Sequence, residues 1–331
     1  MFQFKSKEER QKEARAKQKQ MLADLKAAAA FKKALPAAAA AEVAKPARPA
    51  TAPASPVTAR EQLNATLWLQ RATEYELSTL QVYRLATERL PTVIAAPGTA
   101  ATEQWTTAST QLAALPTAII VDLDETVLDN TYYQARQLLQ GREYEESSWQ
   151  AWMQEAAATA IPGAVDFLRA AAAAGHRVFY VTNRFCQRLE SSPEDPCPAR
   201  TATLRNLRAL GLPNLEDGES LMLRGERPQW NSSDKSARRA AIAERYRIVA
   251  LVGDDLRDFV DRPIFESRRS ELSGLFGTRW FLLPNPIYGS WERELTSGAC
   301  APSMSVADCA AQTLARKYGQ LKPQPANAPK H

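Results

Sequence analysis

The chain has 331 residues, of which 45% are hydrophobic, and a formal net charge of +5. This length is enough for two ordinary domains or for one large domain with additions, and the apolar content is enough for a sizeable core. No apolar run reaches the roughly 18 residues that a membrane span needs, so the sequence predicts none. Much of the positive charge lies in residues 1–50, so it does not predict a basic nucleic-acid-binding face on the folded part.

The first part of the chain, residues 1–57, has a basic stretch and then an Ala/Pro-rich segment, AKPARPATAPASP. Such a segment has little apolar surface to bury, so we predict that it is disordered. It has no apolar stretch of signal-peptide length because Lys32 and Lys33 interrupt the one candidate, and no cysteine for a lipid anchor precedes Cys186. Two alternatives stay open: a protein retained inside the cell, or a different start of translation.

Residues 58–115 are predicted to form helices that pack on the core or on a cap. In AREQLNATLWLQRATEYELSTLQVYRLATERL, residues 59–90, Leu, Trp and Tyr recur three and four positions apart. This is the period of an amphipathic helix, and it predicts one long helix or two shorter ones.

Between residues 116 and 295 the pattern alternates between strands and helices. The predicted strands are AIIVDL, RVFYVTN, SLML, IVALVG and RWFLLPN, and the predicted helices are PGAVDFLRAAAAAG, CPARTATLRNLRALG and DKSARRAAIAERY. This alternation predicts an α/β fold with a parallel, doubly wound sheet. The insertion at about residues 130–160 is too long for a simple crossover, so we predict a small helical cap there. Residues 296–331 are predicted to be a C-terminal tail.

The four cysteines form two close pairs along the sequence, Cys186 with Cys197 and Cys300 with Cys309. An even number in local pairs favours two small disulfide loops and an oxidising compartment. Four reduced thiols are the alternative. The spacing is not CxxC, which argues against a zinc site.

Two aspartates, Asp122 and Asp124, end the first predicted strand. Ligands of an open parallel sheet bind beyond the carboxyl ends of its strands, and a two-residue spacing lets both side chains point to one side. Two carboxylates at one place repel each other unless a cation joins them. Oxygen ligands with few His or Cys candidates favour a hard ion, so we predict Mg²⁺.

Other strand and helix ends add polar groups to the same edge of the sheet. Thr182 and Asn183 follow FYV at the end of the second predicted strand and offer a hydroxyl and backbone amides for an anion. Lys235 stands at the start of a helix, where a phosphate is favoured. The fourth strand is followed by three further carboxylates, those of Asp254, Asp255 and Asp258.

This set of residues and its order resemble the haloacid dehalogenase superfamily of phosphatases, whose fold is a Rossmannoid α/β sheet. Within that superfamily, the chain resembles the class C bacterial acid phosphatases, the lipoprotein e type of 5′-nucleotidase. The resemblance covers about residues 66–292. LWLQRATEYELSTLQVYRLA is similar to the opening helix of that group, DLDETVLDN to its nucleophile motif and LPNPIYGSWE to its closing motif.

The resemblance implies catalytic and phosphate-binding roles. Asp122 would be the nucleophile that forms an aspartyl-phosphate. Asp124 would protonate the leaving oxygen and then take a proton from the attacking water. Thr182, Asn183 and Lys235 would hold the phosphoryl oxygens, with Lys235 also offsetting charge in the transition state.

The resemblance also implies a Mg²⁺ site. Asp122, Asp254 and the backbone carbonyl of Asp124 would be its ligands. Asp258 would orient Lys235 or a metal-bound water. Asp255 occupies a position where relatives are expected to carry Asn, and it would support the site from behind.

Four aromatic residues are candidates for contacts with a nucleobase. Tyr288 and Trp291 lie in the closing motif, and Trp149 and Trp152 lie in the predicted cap. Packing in the core explains each of them equally well. If they face the crevice, two aromatic faces would stack on a base.

Three function classes fit the sequence. The first is a Mg²⁺-dependent phosphomonoesterase, an acid phosphatase or 5′-nucleotidase that acts on small phosphate monoesters, nucleoside monophosphates among them. The second is a phosphotransferase with the same intermediate. The third is a non-catalytic surface or storage protein, which the presence of Asp122 argues against. We expect no nucleic-acid partner and leave a homodimer open. The resemblance and the paired cysteines favour the periplasm.

Overall fold

The computed structural model describes residues 57–301 and 303–322. The predicted disorder of residues 1–57 therefore lies, except for residue 57, outside the described residues.

The described part of the chain consists of strands and helices. The strands are β1 (Thr117–Val121), β2 (Leu128–Asp129), β3 (Thr159–Ala160), β4 (Arg177–Phe185), β5 (Leu221–Arg224), β6 (Arg247–Gly253) and β7 (Trp280–Leu282). The helices are α1 (Val57–Arg71), α2 (Thr73–Ala95), α3 (Ser109–Ala114), α4 (Thr131–Gln140), α5 (Glu146–Glu155), α6 (Ala164–Ala173), α7 (Pro198–Ala209), α8 (Ser236–Ala243), α9 (Leu256–Phe259), α10 (Arg262–Ser267), α11 (Arg269–Leu272), α12 (Ser290–Thr296) and α13 (Val306–Gly319). Short 3-10 helices lie at Thr102–Gln104, Pro228–Trp230 and Ser273–Leu275.

Five parallel strands form the central sheet, in the order β5-β4-β1-β6-β7. Alternate side chains of β1 enter cores on opposite faces: Ile119 and Val121 belong to one cluster of buried residues, Ala118 and Ile120 to the other. A strand covered on both faces has to be apolar at every position, which explains the continuous run in the sequence. The predicted doubly wound α/β sheet is confirmed.

The N-terminal part of the described chain forms two helices rather than one. Ala72, which separates α1 from α2, has an extended backbone. The buried side chains of α2 include Tyr75, Thr79 and Tyr83, which recur every four residues. α2 packs on α6 and the sheet, whereas α1 packs on α4.

The cap is closed at its base by a short antiparallel pair. β2 and β3 pair Leu128 with Ala160, and the backbone amide of Ile161 donates to the carbonyl of Val127 at 3.0 Å. The helices α4 and α5 lie between these strands, and α5 packs on α7. The structure thus has a small helical insertion at the predicted place.

The C-terminal segment contains a helix that the sequence reading left as tail. In α13, Lys317 lies 2.6 Å from Glu61 of α1 and 2.7 Å from Glu292 of α12. None of the described residues of α13 is buried. This explains why no apolar stripe marked the helix in the sequence. No helix among the described residues has the length and apolar character that crossing a bilayer requires.

Both cysteine pairs form disulfides, with Cα–Cα distances of 4.9 Å for Cys186–Cys197 and 5.0 Å for Cys300–Cys309. The first closes a loop between β4 and α7, inside the α/β core. The second joins the segment after α12 to α13, at the periphery. The structure therefore selects the disulfide alternative over four reduced thiols.

The two disulfides should differ in their effect on stability. Replacing both Cys186 and Cys197 by Ser should lower the free energy of global unfolding by about 2–3 kcal/mol, because the open loop gains entropy in the unfolded chain. Replacing both Cys300 and Cys309 should leave it nearly unchanged, because α13 can detach without unfolding the sheet. Urea denaturation of the two double variants measures the difference. Equal losses would contradict the peripheral role of the second disulfide.

Candidate active site

The polar groups predicted at the strand ends meet in a cavity of about 460 Å³. Asp122 directly follows β1, Asp254 directly follows β6, and Lys235 directly precedes α8. All three side chains line the cavity. Parallel strands bring their carboxyl ends to one edge, and this shared edge explains why residues far apart in sequence converge here.

Lys235 occupies the centre of the charged cluster. Its Nζ contacts the Oδ1 of Asp122 and lies 2.6 Å from the Oδ1 of Asp258. Only 3% of Lys235 is exposed. Burial lowers the pKa of Lys235, but the two carboxylates outweigh that effect and raise it above its ordinary value. The ammonium group therefore stays charged and bridges the two acids.

Asp258 fixes the position of that ammonium group. Its second oxygen, Oδ2, accepts the backbone N–H groups of Asp254 at 3.1 Å and of Asp255 at 2.9 Å. The carboxylate is thus anchored on the loop after β6 and directed at Lys235. This geometry matches one of the two roles that the sequence suggested for Asp258, the orientation of Lys235.

Three carboxylates form a candidate metal centre. Oxygen atoms of Asp122, Asp254 and Asp258 all lie within 4.8 Å of one another. Burial raises the pKa of Asp122 to about 7; Lys235 opposes the shift, and Asp258 adds to it. Burial and Asp258 also raise the pKa of Asp254 well above its usual range. A divalent cation would relieve this repulsion, and an all-oxygen set suits a hard one.

Asp254 is held by two neutral donors. Its Oδ1 accepts the hydroxyl of Thr126 at 3.1 Å, and its Oδ2 accepts the side-chain amide of Asn285 at 2.7 Å. Thr126 belongs to the nucleophile motif and Asn285 to the closing motif. The acid is thereby tied to both neighbouring loops.

Asp124 is held by an arginine that the sequence reading missed. The Nε of Arg184 donates to both oxygens of Asp124, at 3.0 and 3.2 Å, and a terminal nitrogen donates to Oδ1 at 2.8 Å. The amide of Asn130 adds a bond of 2.9 Å. Arg184 follows Thr182 by two residues on β4. The two-residue period of a strand therefore offered a signal that could have found it.

Thr182 and Asn183 differ in burial and in hydrogen-bond partners. Thr182 is fully buried, and its hydroxyl donates to Asp124 at 3.3 Å while accepting the backbone N–H of Arg184 at 3.1 Å. Asn183 lines the cavity, but its side chain bonds to Ser233 and Arg238. The structure therefore brings both residues to the site, with their side chains engaged by protein groups.

Asp255 links two loops and is not one of the three carboxylates of the candidate metal centre. Its Oδ1 accepts the backbone N–H of Arg257 at 2.9 Å and the hydroxyl of Ser290 at 2.7 Å. Burial raises the pKa of Asp255, but the hydrogen bonds from Ser290 and Arg257 outweigh it and bring the pKa below its ordinary value. An ionised Asp255 thus joins the loop after β6 to the closing motif.

The four aromatic candidates divide into two groups. Trp149 and Tyr288 line the cavity. Trp152 instead packs in the core, where its indole N–H donates to Asn130 at 2.9 Å. Trp291 is 42% exposed, and among the described residues that line the cavity neither it nor Trp152 occurs. For these two residues the structure does not support a place at the crevice, since Trp152 is buried inside the cap with its indole bonded to Asn130 and Trp291 is exposed.

Glu125 is a second residue that the sequence reading missed. It is fully buried, its Oε1 accepts the backbone N–H of Asn130 at 3.0 Å, and its Oε2 accepts the hydroxyl of Tyr288. Burial raises the pKa of Glu125 well above its usual range. Its position beside Asp124 gave no signal of its own, because consecutive side chains usually diverge.

Comparison with known proteins places the chain in a family. Residues 56–291 match the family described as HAD superfamily, subfamily IIIB (Acid phosphatase). A curated relative, acid phosphatase 1 of Solanum lycopersicum, is 27% identical over 172 residues, which cover 51% of this chain and 57% of the relative. The match thus spans little more than half the length of that relative.

Solved structures agree with this assignment. The class C acid phosphatase from Bacillus anthracis superimposes with a TM-score of 0.63 at 27% identity, over 81% of this chain and 99% of that chain. The structure of a Bacillus anthracis class C acid phosphatase with tungstate bound gives a TM-score of 0.62 at 26% identity and the same coverage. The chain belongs to the subfamily IIIB acid phosphatases of the HAD superfamily, a family of phosphoric monoester hydrolases.

Proposed function

We propose that this protein is a Mg²⁺-dependent phosphomonoesterase that hydrolyses nucleoside monophosphates through an aspartyl-phosphate. The observation that carries the proposal is the buried cluster in which Lys235 lies between Asp122 and Asp258, with Asp254 close by. A cation and several carboxylates at the end of a parallel sheet suit phosphoryl transfer, which depends on positioning and charge stabilisation.

In the first step, an oxygen of Asp122 attacks phosphorus and the bond from phosphorus to the leaving oxygen breaks. Asp124 gives its proton to that oxygen, so the product leaves as an alcohol. Lys235, already beside Asp122, is positioned to stabilise negative charge on the phosphoryl oxygens. Thr182 and Asn183, both on β4, would help to hold the phosphoryl oxygens.

In the second step, water attacks the phosphorus of the aspartyl-phosphate. Asp124 takes a proton from this water, and the bond between phosphorus and the oxygen of Asp122 breaks. Inorganic phosphate forms, and the Asp122 carboxylate is regenerated. The hydrogen bonds from Arg184 and Asn130 fix where Asp124 lies during both steps.

The residues present fit a divalent ion. Asp122, Asp254 and the backbone carbonyl of Asp124 would hold Mg²⁺, while Asp258 remains engaged with Lys235. When bound, the ion supplies positive charge that offsets the charge of the carboxylates and the phosphoryl group.

The proposal that the substrate is a nucleotide rests on two aromatic side chains that line the cavity. Trp149 and Tyr288 line the same cavity as Asp122, and stacking on aromatic rings accepts purines and pyrimidines alike. The tungstate bound in the Bacillus anthracis relative supports an oxyanion site, since tungstate and phosphate are both tetrahedral oxyanions.

We also propose an oxidising location, the periplasm, for this protein. Its two disulfides support this location because such bonds persist in oxidising compartments. Immunoblotting of periplasmic and cytoplasmic fractions tests the assignment, and recovery of the protein only with reduced cysteines in the cytoplasm would refute it.

The proposed nucleophile gives the decisive test. Asp122→Asn should reduce phosphate release from an aryl phosphate by about 1,000-fold or more, because no covalent intermediate can form. Asp124→Asn should lose more activity on alkyl than on aryl phosphates, whose leaving group needs less protonation. Asp261→Asn, whose side chain makes no capping bond, is the matched control and should stay active. An Asp122→Asn protein that keeps more than about a tenth of the wild-type rate would refute the assignment of Asp122 as the nucleophile.

Metal dependence can be tested by activity and by stability. EDTA should abolish turnover, and Mg²⁺ should restore it better than Ca²⁺, which prefers longer bonds and more ligands. In a thermal-shift assay Mg²⁺ should raise the melting temperature of the wild-type protein, because it binds only the folded state. Asp254→Asn should remove that rise. Full activity after exhaustive chelation would count against the site.

Tyr288 tests the nucleotide preference. Tyr288→Ala should raise the Michaelis constant for nucleoside monophosphates about five- to hundredfold, the range expected for one lost base stack, with a smaller rise for glycerol phosphate. Tyr288→Phe keeps the ring and loses only the bond to Glu125, so it should retain the preference. Equal losses on both substrates would mean that Tyr288 only packs.

A further inference from the structure

The cavity that holds the candidate catalytic groups is also lined by three arginines, Arg224, Arg257 and Arg293. In the part of the chain that the structure describes, their side chains make no ion pair and no hydrogen bond. The two other cations that line this cavity differ, because Arg184 is paired with Asp124 and Lys235 with Asp122 and Asp258. Asp124, Asp122 and Asp258 thus neutralise Arg184 and Lys235, whereas no described carboxylate forms an ion pair with the other three. Asp255 is near enough to Arg293 to interact with it electrostatically, but its oxygens are bonded to Ser290 and to the backbone of Arg257.

Two of these arginines have a donor with no partner. The Nε atoms of Arg224 and Arg257 are both buried and unbonded. A buried donor without an acceptor is unfavourable, and an anionic ligand in the cavity would supply the missing acceptor. A guanidinium group can bind a phosphate or a carboxylate with two parallel bonds, and a phosphate group of the substrate would be such a partner.

Arg257 and Arg293 belong to one wall of the cavity. Arg257 lies in α9 and Arg293 in α12, and these helices pack on each other. Asp255 bonds both to the backbone of Arg257 and to Ser290 of the closing motif. The wall therefore runs from the loop after β6, next to the nucleophile, to Tyr288. Arg224 lies elsewhere, at the end of β5, with its guanidinium 4.6 Å from the ring centre of Phe185.

We propose that Arg257 and Arg293 form a second anion subsite, and that the substrate is a nucleoside monoester whose ribose carries a further phosphate. The proposal rests on the proposed function for the reacting phosphate and the stacked base. The ribose connects these two groups, and a phosphate on its 3′ oxygen branches off that connection. In this position it would meet the wall that carries the two arginines, which runs between the nucleophile and Tyr288. The leaving group then bears its own negative charge, which this subsite recognises.

The test compares adenosine 3′,5′-bisphosphate with adenosine 5′-monophosphate at physiological ionic strength. The wild-type protein should prefer the bisphosphate by about tenfold or more in kcat/KM, the effect expected from a charge-assisted contact that salt screens only partly. The double variant Arg257→Gln with Arg293→Gln should bring this ratio close to one. The double variant with Lys at both positions should retain part of the preference.

Controls separate a local subsite from a general attraction of anions. Arg89→Gln removes one charge from the exposed face of α2 and should leave the ratio unchanged. Equal losses on the two substrates in the Gln double variant, or a wild-type ratio near one, would overturn the proposal.

A binding measurement separates this inference from the proposed function. Equilibrium dialysis with adenosine 3′,5′-bisphosphate needs no turnover. Binding that the Gln double variant weakens about tenfold, in a protein that releases phosphate from no substrate, would retain the subsite and refute the phosphatase. Undiminished binding by the variant would refute the subsite whether or not the protein is active.

Discussion

The site depends on one interaction, the contact of the buried Lys235 ammonium group with the carboxylates of Asp122 and Asp258. Bringing these three charged groups out of water is costly, and only their mutual attraction and additional hydrogen bonds compensate for it. Removing one member of such a buried pair typically costs about 3–5 kcal/mol, since the remaining charge stays unpaired. The arrangement therefore places a carboxylate directly beside a cation in the cavity where we propose that a phosphoryl group binds.

The loops around this cluster are locked by hydrogen bonds that converge from different strands. Asp258 binds the backbone of the loop after β6, Asp255 connects that loop to Ser290, and Glu125 accepts from Tyr288. The nucleophile motif, the β6 loop and the closing motif thus form one bonded unit. Such a unit would hold the proposed reacting groups in fixed positions, which electrostatic catalysis requires.

Much of this could be predicted from the sequence. Apolar runs that stop at Asp122, Thr182 and Asp254 mark the edge of the sheet. A polar group that is buried at such a place is unfavourable unless a partner or a ligand compensates for it. Arg184 and Glu125 were not predicted as site residues, because their roles depend on which side chain lies opposite them. Contacts between distant residues leave no local pattern in the sequence. Trp152 was ambiguous for the same reason, as a tryptophan in an amphipathic helix can face either a core or a cavity. The helix α13 was missed because it buries none of its described residues.

The antiparallel pair of β2 and β3 separates the cap from the backbone that carries the proposed nucleophile. Leu128, four residues after Asp124, already pairs with Ala160, so the insertion leaves and rejoins the fold at a single hydrogen-bonded neck. Exposed residues between positions 131 and 158 can therefore change while the backbone that carries the proposed nucleophile keeps its register. Trp149 and Trp152 are constrained, because one lines the cavity and the other bonds to Asn130. This neck makes the cap an exchangeable module. Changes in the cap would alter which leaving groups the cavity accepts and would leave the candidate catalytic groups at the strand ends in place.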